Sequence, residues 1–300
     1  MTSNKRNRLL LSREIRYELF LLPALIGYAV FFVYPVICSF YYSVTDWTLY
    51  NRQIEFNGFA NYLRIFEDEE ILTGIKNSFV YAIMMTIFQN GLAIPLAVAL
   101  DADLKTRNLL RMIFFAPAVL SSLVVGYLWS YIMSPTDYGL LNQLLTVMGL
   151  GKVNWLGEPS FALYSVIGTQ IWQWTGWAMV IYLANLQSIS TDYYEAARID
   201  GANGWQSFRA ITFPMLAPSL TVNSVLSMIG GLKVFDIIFA MTQGGPGHAT
   251  ESITTVLIRR GFTEGLYGYA SAIAVVLFVL IACISSIQLK YLQQREDRIL

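Results

Sequence analysis

Six long runs of this 300-residue chain carry no charge at all: residues 19–45, 77–100, 112–136, 159–191, 210–232 and 265–289. Each holds the roughly 20 predominantly apolar residues needed to cross a hydrocarbon core about 30 Å thick at about 1.5 Å per residue. The composition agrees, with 55% hydrophobic and only 13% charged residues, where a soluble domain has about 25% charged. In lipid a spanning backbone must satisfy its own hydrogen bonds, so the runs are predicted to be helices. A barrel would show alternating segments of about ten residues, and 275–284 is apolar at every position. The predicted fold is an all-α integral membrane protein with six transmembrane helices. The fifth is predicted to continue past Lys233 and Asp236 to Met241.

Lys and Arg set the orientation. Six spans leave both termini on one side, which carries thirteen cations, among them Lys5, Arg6, Arg8, Arg13 and Arg16 in the basic N-terminus 1–17. The opposite side carries six: Arg52, Arg64, Lys76, Lys152, Arg259 and Arg260. The positive-inside rule then places both termini in the cytoplasm. The first run is too long for the apolar core of a signal peptide, and no small-residue cleavage site follows it. Pro23, Pro35, Pro95 and Pro117 lie within spans, where neighbouring groups must take up the freed carbonyls. The chain is predicted to be one domain, 1–300.

Several chemistries are excluded. The net charge is zero, which gives no global field for nucleic acid. Cys38 and Cys283 lie in apolar stretches and read as packing residues. His248 is the single histidine; in a Gly/Pro-rich loop it reads as a solvated residue, and no histidine-based metal site is predicted. The nearest phosphate-loop candidate, Gly151-Lys152, has Val153 where Ser or Thr is required and Thr146 where the first Gly belongs.

Between the fourth and fifth spans lies the cytoplasmic segment 191–214, TDYYEAARIDGANGWQSFRAITFP. It reads as two short helices. Asp192 is placed to cap the first, with Glu195 three residues on, and Gly201 to end it with a positive φ. Asn203 is placed to cap the second, with Gln206 three residues on. Pro214 then suits the start of the fifth span. Ala196 and Ala197 leave a helix surface that another body can approach closely. Tyr193, Tyr194, Trp205 and Phe208 are large anchors for a cytoplasmic loop. Physical chemistry alone favours an interfacial hairpin on the lipid headgroups.

The order Glu195-Ala196-Ala197, Gly201, Ile211, Pro214 resembles the EAA loop of binding-protein-dependent ABC importer permeases, with Phe213 where that family usually has Leu. Tyr34-Pro35, Phe235-Asp236 and the run Thr242-Gln243-Gly244-Gly245-Pro246-Gly247 resemble its carbohydrate-uptake branch, in particular the first of two different permease subunits. The resemblance implies a coupling helix, with Glu195, Ala196, Ala197, Asp200, Gly201, Ile211 and Pro214 docking on a separate ATPase. It implies a second permease subunit, two ATP-binding subunits carrying ATP and Mg, and an extracytoplasmic solute-binding protein. It implies no cofactor on this chain and a place in the plasma membrane of a bacterium or archaeon.

A charge at mid-bilayer costs about 3 kcal/mol or more, so Lys233 and Asp236 are expected to face the bundle interior. At i, i+3 on one helix they either pair with each other or line a translocation path. Candidate path residues beside them are Phe235, Asn223 and Ser227, and Trp172 and Trp174 of the fourth span, which also carries Trp177, Gln170 and Gln173. Aromatic faces with amides suit sugar rings. A stand-alone secondary transporter is the second reading, whose mark would be broken helices and repeated halves.

Overall fold

The structure is a computed structural model that describes residues 20–51, 53–136 and 138–298. The basic N-terminus 1–17 lies outside them. The described residues are mostly helical; apart from an isolated antiparallel bridge between Thr45 and Phe56, they contain no strand pairing. Cys38 and Cys283 are free thiols.

The chain divides into two units. The first comprises Met1–Leu63 and Arg260–Val275. It contains α1 (Phe20–Ser43), most of whose apolar side chains are exposed, with Val36, Cys38 and Tyr42 half-buried. Past α1, Trp47 lies between the rings of Tyr42 and Tyr267, at 4.3 and 4.7 Å. Asn61 of α2 (Ala60–Ile65) donates to the carbonyls of Ser43 and Thr45, at 2.9 and 2.8 Å. The Gly268 N–H donates to Trp47 O at 2.7 Å.

The second unit comprises Arg64–Arg259 and Val276–Leu300. Its helices are α3 (Glu69–Asp101), α4 (Arg107–Val119), α5 (Ser122–Ile132), α6 (Leu140–Val147), α7 (Pro159–Leu186), α8 (Thr191–Ile199), α9 (Gly204–Met215), α10 (Ala217–Leu232), α11 (Asp236–Met241) and α12 (Ile253–Ile258). The last helix, α13 (Tyr267–Glu296), begins in the first unit and ends in the second. The second half of α3 packs along α7, as does α4, while α5 packs on α11. Small residues permit these close approaches. A Cβ at Gly176 of α7 would fall on the Phe114 carbonyl of α4, one at Gly231 of α10 on the Ala82 backbone of α3, and one at Gly126 of α5 on Ala240 of α11.

Three helices are long and apolar enough to cross a membrane singly: α1, α3 and α13. Two bent pairs qualify together, α4 with α5 at 99° and α9 with α10 at 63°. The fourth uncharged run forms the 28-residue helix α7, which its Trp, Gln and Thr residues make more polar than the others. Two π turns, Ala29–Val33 and Phe208–Thr212, sit just N-terminal to Pro35 and Pro214. A proline ring clashes with the carbonyl four residues back and removes a helical hydrogen bond, so the turn before it is the place to widen.

The fifth span differs from the sequence expectation at both ends. Pro214 lies in the last turn of α9, ahead of the bend, and Pro218 opens α10 instead. The helix then stops at Leu232 and does not run on to Met241.

Candidate functional site

Two helix breaks build the centre of the second unit. Between α4 and α5, Leu120 and Ser121 adopt extended ψ values of 146° and 137°. Pro117, three residues earlier, has already weakened the helix there. Between α10 and α11, Phe235 has φ −140° and ψ −62°. Each break frees a carbonyl, and each is capped by a neighbour's side chain. Gln173 of α7, fully buried, donates to Leu120 O at 3.0 Å. Ser252, at the start of α12, donates to Val234 O at 2.7 Å. Irregular backbone at membrane depth is tolerated where it is buried in protein or lines a cavity.

A cavity of about 390 Å³ adjoins both breaks, lined among others by Ser122, Ser227, Lys233, Phe235 and Asp236. Gln170, Trp174 and Trp177 reach it from α7, spaced i, i+4, i+7 on one helix face. The two indoles meet edge to face at 6.2 Å. Several polar lining groups are already committed. Ser227 donates to Gln89 Oε1 at 3.0 Å, and Gln89 donates to Trp174 O at 3.2 Å. Tyr81 donates to Gln170.

Lys233 and Asp236 are both exposed to the cavity, and among the described residues neither has an ion-pair partner. The expected shared helix face does not exist, because the helix ends between them. Lys233 is the C-terminal cap of α10 and Asp236 opens α11. Each charge therefore complements the dipole of its own helix end, which leaves the two side chains independent.

The other candidates divide between cavity and packing. Ser227, Trp174 and Phe235 line the cavity. Asn223 does not: it is buried and donates to Ala178 O at 3.3 Å, joining α10 to α7. Trp172 lies 5.3 Å from Trp129 and lines a separate apolar groove with Phe88, Phe114 and Ile171. Gln89, Tyr81 and Ser122 were not anticipated. The signal for Gln89 was present, since Gln89-Asn90 interrupts an otherwise apolar run at its middle.

At the C-terminal end of α7 stands the two-helix segment. Ser190, not Asp192, caps α8, accepting from the Asp192 N–H at 3.3 Å; Asp192 instead occupies the first turn, where an acid suits the helix dipole. Gly201 has φ +79°. Its N–H bonds to Arg198 O at 3.1 Å, and the next N–H, of Ala202, to Ala197 O at 2.9 Å. That pair is a Schellman C-cap, which needs a residue free to adopt positive φ. Asn203 and Gln206 form a reciprocal capping box at 2.8 and 2.9 Å.

The four aromatic anchors face two ways. Tyr194 and Phe208 pack inward against the cluster containing Ala97, Tyr182 and Leu216, and Tyr194 hydrogen-bonds Thr212 at 3.1 Å. Tyr193 and Trp205 are exposed, together with Glu195, Ala196, Asp200 and Ile199. Ala197, Ile211 and Pro214 are half-buried. One side of the segment is thus fastened to the bundle and the other is open.

At the opposite end of the unit, the loop 242–252 is pinned by hydrogen bonds. Thr242 and Thr250 hydroxyls meet at 2.7 Å, and Asn77 of α3 donates to Ala249 O and Glu251 O at 3.0 and 2.9 Å. Glu251 is buried and accepts from Thr255 and Arg259, and Arg259 also reaches Glu70. His248 is not free in solvent: its ring nitrogens lie 3.4 Å from Glu251 and 3.5 Å from Glu70. Glu251 is three residues away, but Glu70 comes from a distant stretch of sequence, and the lone histidine read as a plain loop residue.

Broken, cavity-lining helices and a two-helix segment fastened at one end are features that fit a membrane transport component. Residues 71–298 match the family described as "Binding-protein-dependent transport system inner membrane component", and the chain belongs to that family. It is a transport subunit and not an enzyme. It is 32% identical over 282 residues to a probable starch degradation products transport system permease protein of Thermoanaerobacterium thermosulfurigenes, covering 94% of this chain and 95% of that protein. To a trehalose/maltose transport system permease protein of Thermococcus litoralis it is 36% identical over 279 residues, covering 93% and 94%. Among solved structures, it matches a chain of a bacterial ABC transporter involved in the import of the acidic polysaccharide alginate, with TM-score 0.82, 25% identity, and 98% and 99% of the two chains covered. It matches equally, at TM-score 0.82, 25% identity and 96% coverage of each chain, a chain of the alginate transporter solved in complex with its pentasaccharide-bound periplasmic protein.

Proposed function

We propose that this chain forms the path by which a sugar or oligosaccharide enters the cell, in an importer driven by ATP hydrolysis on separate subunits. The observation that carries the reading is the cavity lined by Trp174, Trp177, Lys233 and Asp236 beside two helix breaks, where among the described residues neither charge has an ion-pair partner. Indole faces suit the apolar faces of sugar rings, and charged groups suit their hydroxyl rims. The names of the relatives, which concern starch products, trehalose and maltose, support the same class of solute.

The spans number six when α1, α3, α7 and α13 are counted with the two bent pairs, and both termini lie in the cytoplasm by the distribution of Lys and Arg. The exposed side of the two-helix segment, with Glu195, Ala196, Ala197, Asp200 and Gly201, docks on the ATPase, while Ile211 and Pro214 carry its motion into α10. ATP and Mg belong to two such ATPase subunits, and this chain binds no cofactor. A second permease subunit completes the pathway, and an extracytoplasmic binding protein delivers the solute to the pinned loop 242–252. Physically the bundle is a two-state element biased by partners that bind its states unequally.

Broken helices were the expected mark of a stand-alone secondary transporter, yet here they occur in a member of the ABC permease family. The test is therefore energetic. Reconstituted with its partner subunits, the chain is expected to take up radiolabelled trehalose or maltotriose only with hydrolysable ATP. Gradient-driven uptake by the chain alone would support the secondary-transporter reading instead.

A further inference from the structure

The hairpin 138–157, between α5 and α7, has no role in the cavity or the coupling segment. It contains one charged residue, Lys152, in 20 positions, and Asp137 and Glu158 flank it in the sequence. Leu140, Leu144 and Val147 of its helix α6 and the C-cap Met148 are exposed, Val147 to 85%. These positions, spaced i, i+4, i+7, i+8, form one apolar stripe.

The stripe is held rigidly. Asn142, on the opposite face of α6, is buried and uses its full amide capacity. It donates to Ser134 O and Val153 O, both at 3.0 Å, and accepts from Val153 N–H at 3.0 Å and Trp155 Nε1–H at 3.2 Å. Ser165 of α7 donates to Trp155 O at 3.0 Å. The hairpin is therefore clamped to the end of α7 opposite the coupling segment, and α6 cannot roll to hide its leucines.

We propose that this hairpin is an interfacial anchor whose α6 stripe lies in the headgroup layer of the leaflet opposite the coupling segment. Water would leave a contiguous apolar patch uncovered, which soluble surfaces avoid. A protein partner would meet a polar rim around an apolar centre, whereas exposed Gln143 and Thr146 border the stripe along one edge only and half-buried Leu141 and Leu145 border the other. Lipid fits each feature. Exposed apolar side chains of α5, Val124 and Leu128 among them, precede the stripe in the chain, and exposed Tyr131 and Tyr138 fall between the two in sequence, as aromatic residues do at headgroup level. The length of α7 agrees: 28 residues span about 42 Å, more than the about 30 Å hydrocarbon core, so its ends reach both headgroup layers. The proposal rests on membership of the membrane family and is independent of the solute.

The test uses the full chain, purified with the subunits that co-assemble with it, in vesicles of phosphatidylethanolamine and phosphatidylglycerol at three to one. Cys38 and Cys283 are replaced by alanine, and a nitroxide is attached at Leu144→Cys or Val147→Cys. Collisions with oxygen and with a neutral nickel chelate are measured by electron paramagnetic resonance and calibrated against lipids labelled at known depths. Both labels are expected to favour oxygen and to report a depth about 5–10 Å into the headgroup and acyl boundary. Free access of the chelate at Val147 would mean a solvent-facing hairpin and overturn the proposal. Exclusion of both reagents would mean that protein covers the stripe, and would overturn it equally.

Discussion

The side-chain amide of Gln173 donates to the main-chain oxygen of Leu120 at 3.0 Å, across the gap between α7 and the break that separates α4 from α5. Ser252 does the same for Val234 at 2.7 Å in the second break. In hydrocarbon a free carbonyl costs several kcal/mol. These two side chains let a pair of membrane helices bend beside a cavity without leaving that cost in place. The breaks and the packed α5 and α11 that follow them are one construction, since Gly126 of α5 lets Ala240 and Ile237 of α11 come close.

Removing the donor should therefore cost stability without touching the cavity wall. Gln173→Leu strands Leu120 O, and the expected loss is about 1–3 kcal/mol. Thermal unfolding of the purified chain in lipid nanodiscs reads it directly. A melting temperature equal to that of the parent would show that the carbonyl finds another donor, and the capping role would be withdrawn.

Two glycines of α7 make a paired prediction. A Cβ at Gly176 falls on the Phe114 carbonyl, whereas one at Gly168 meets nothing within 4 Å. Gly176→Ala should destabilise by about 1–3 kcal/mol through overpacking. Gly168→Ala should be neutral or stabilise by up to about 1 kcal/mol, because it removes a flexible residue from a helix interior. The same melting experiment separates them, and an equal loss in both would contradict the close α4–α7 approach.

The helical class, the two-helix segment and the positive φ of Gly201 were legible because each rests on local chemistry: charge gaps, capping residues and a glycine stop. The breaks were not. Pro117 marks one of them, but prolines also sit within α3 and α1 without a comparable bend. What decides is whether a neighbour can cap the freed carbonyl, and Gln173 lies 53 residues from Leu120. The fourth span was half legible. Its Trp and Gln residues were visible, but only their helical phase separates Gln170, Trp174 and Trp177 on the cavity from Trp172 and Gln173 on packing faces. The cluster of Glu70, His248, Glu251 and Arg259 depends on contacts spanning up to 189 residues, and no local pattern announces it.

Coupling can be tested at Gly201. With φ +79° a β-branched side chain is strongly disfavoured, while Asn tolerates this region. Gly201→Val should disrupt the turn between α8 and α9, reducing co-purification of the ATPase and solute-stimulated ATP turnover, with membrane insertion unchanged. Gly201→Asn should retain most of both. Normal assembly and turnover in the valine variant would remove the segment from the coupling path.

The last prediction concerns the two charges at the second break. Had Lys233 and Asp236 formed a buried pair, neutralising one would strand the other, at about 3–5 kcal/mol, and neutralising both would restore stability. Here the helix ends between them, each faces the cavity, and among the described residues neither has an ion-pair partner. Their effects on stability should therefore be small and should add within about 0.5 kcal/mol in a double-mutant cycle of Lys233→Met and Asp236→Asn. Uptake should behave differently. On the proposed path Asp236 accepts from sugar hydroxyls, so Asp236→Asn is expected to lower transport while the melting temperature and ATPase association hold. Adding Lys233→Met should deepen the transport defect, because the proposed path then loses a second charged lining group. Melting temperature and uptake of the cognate sugar, measured for both single variants and the double, decide the matter. Recovery of both properties in the double variant would restore the ion pair and end the claim that Asp236 contacts solute.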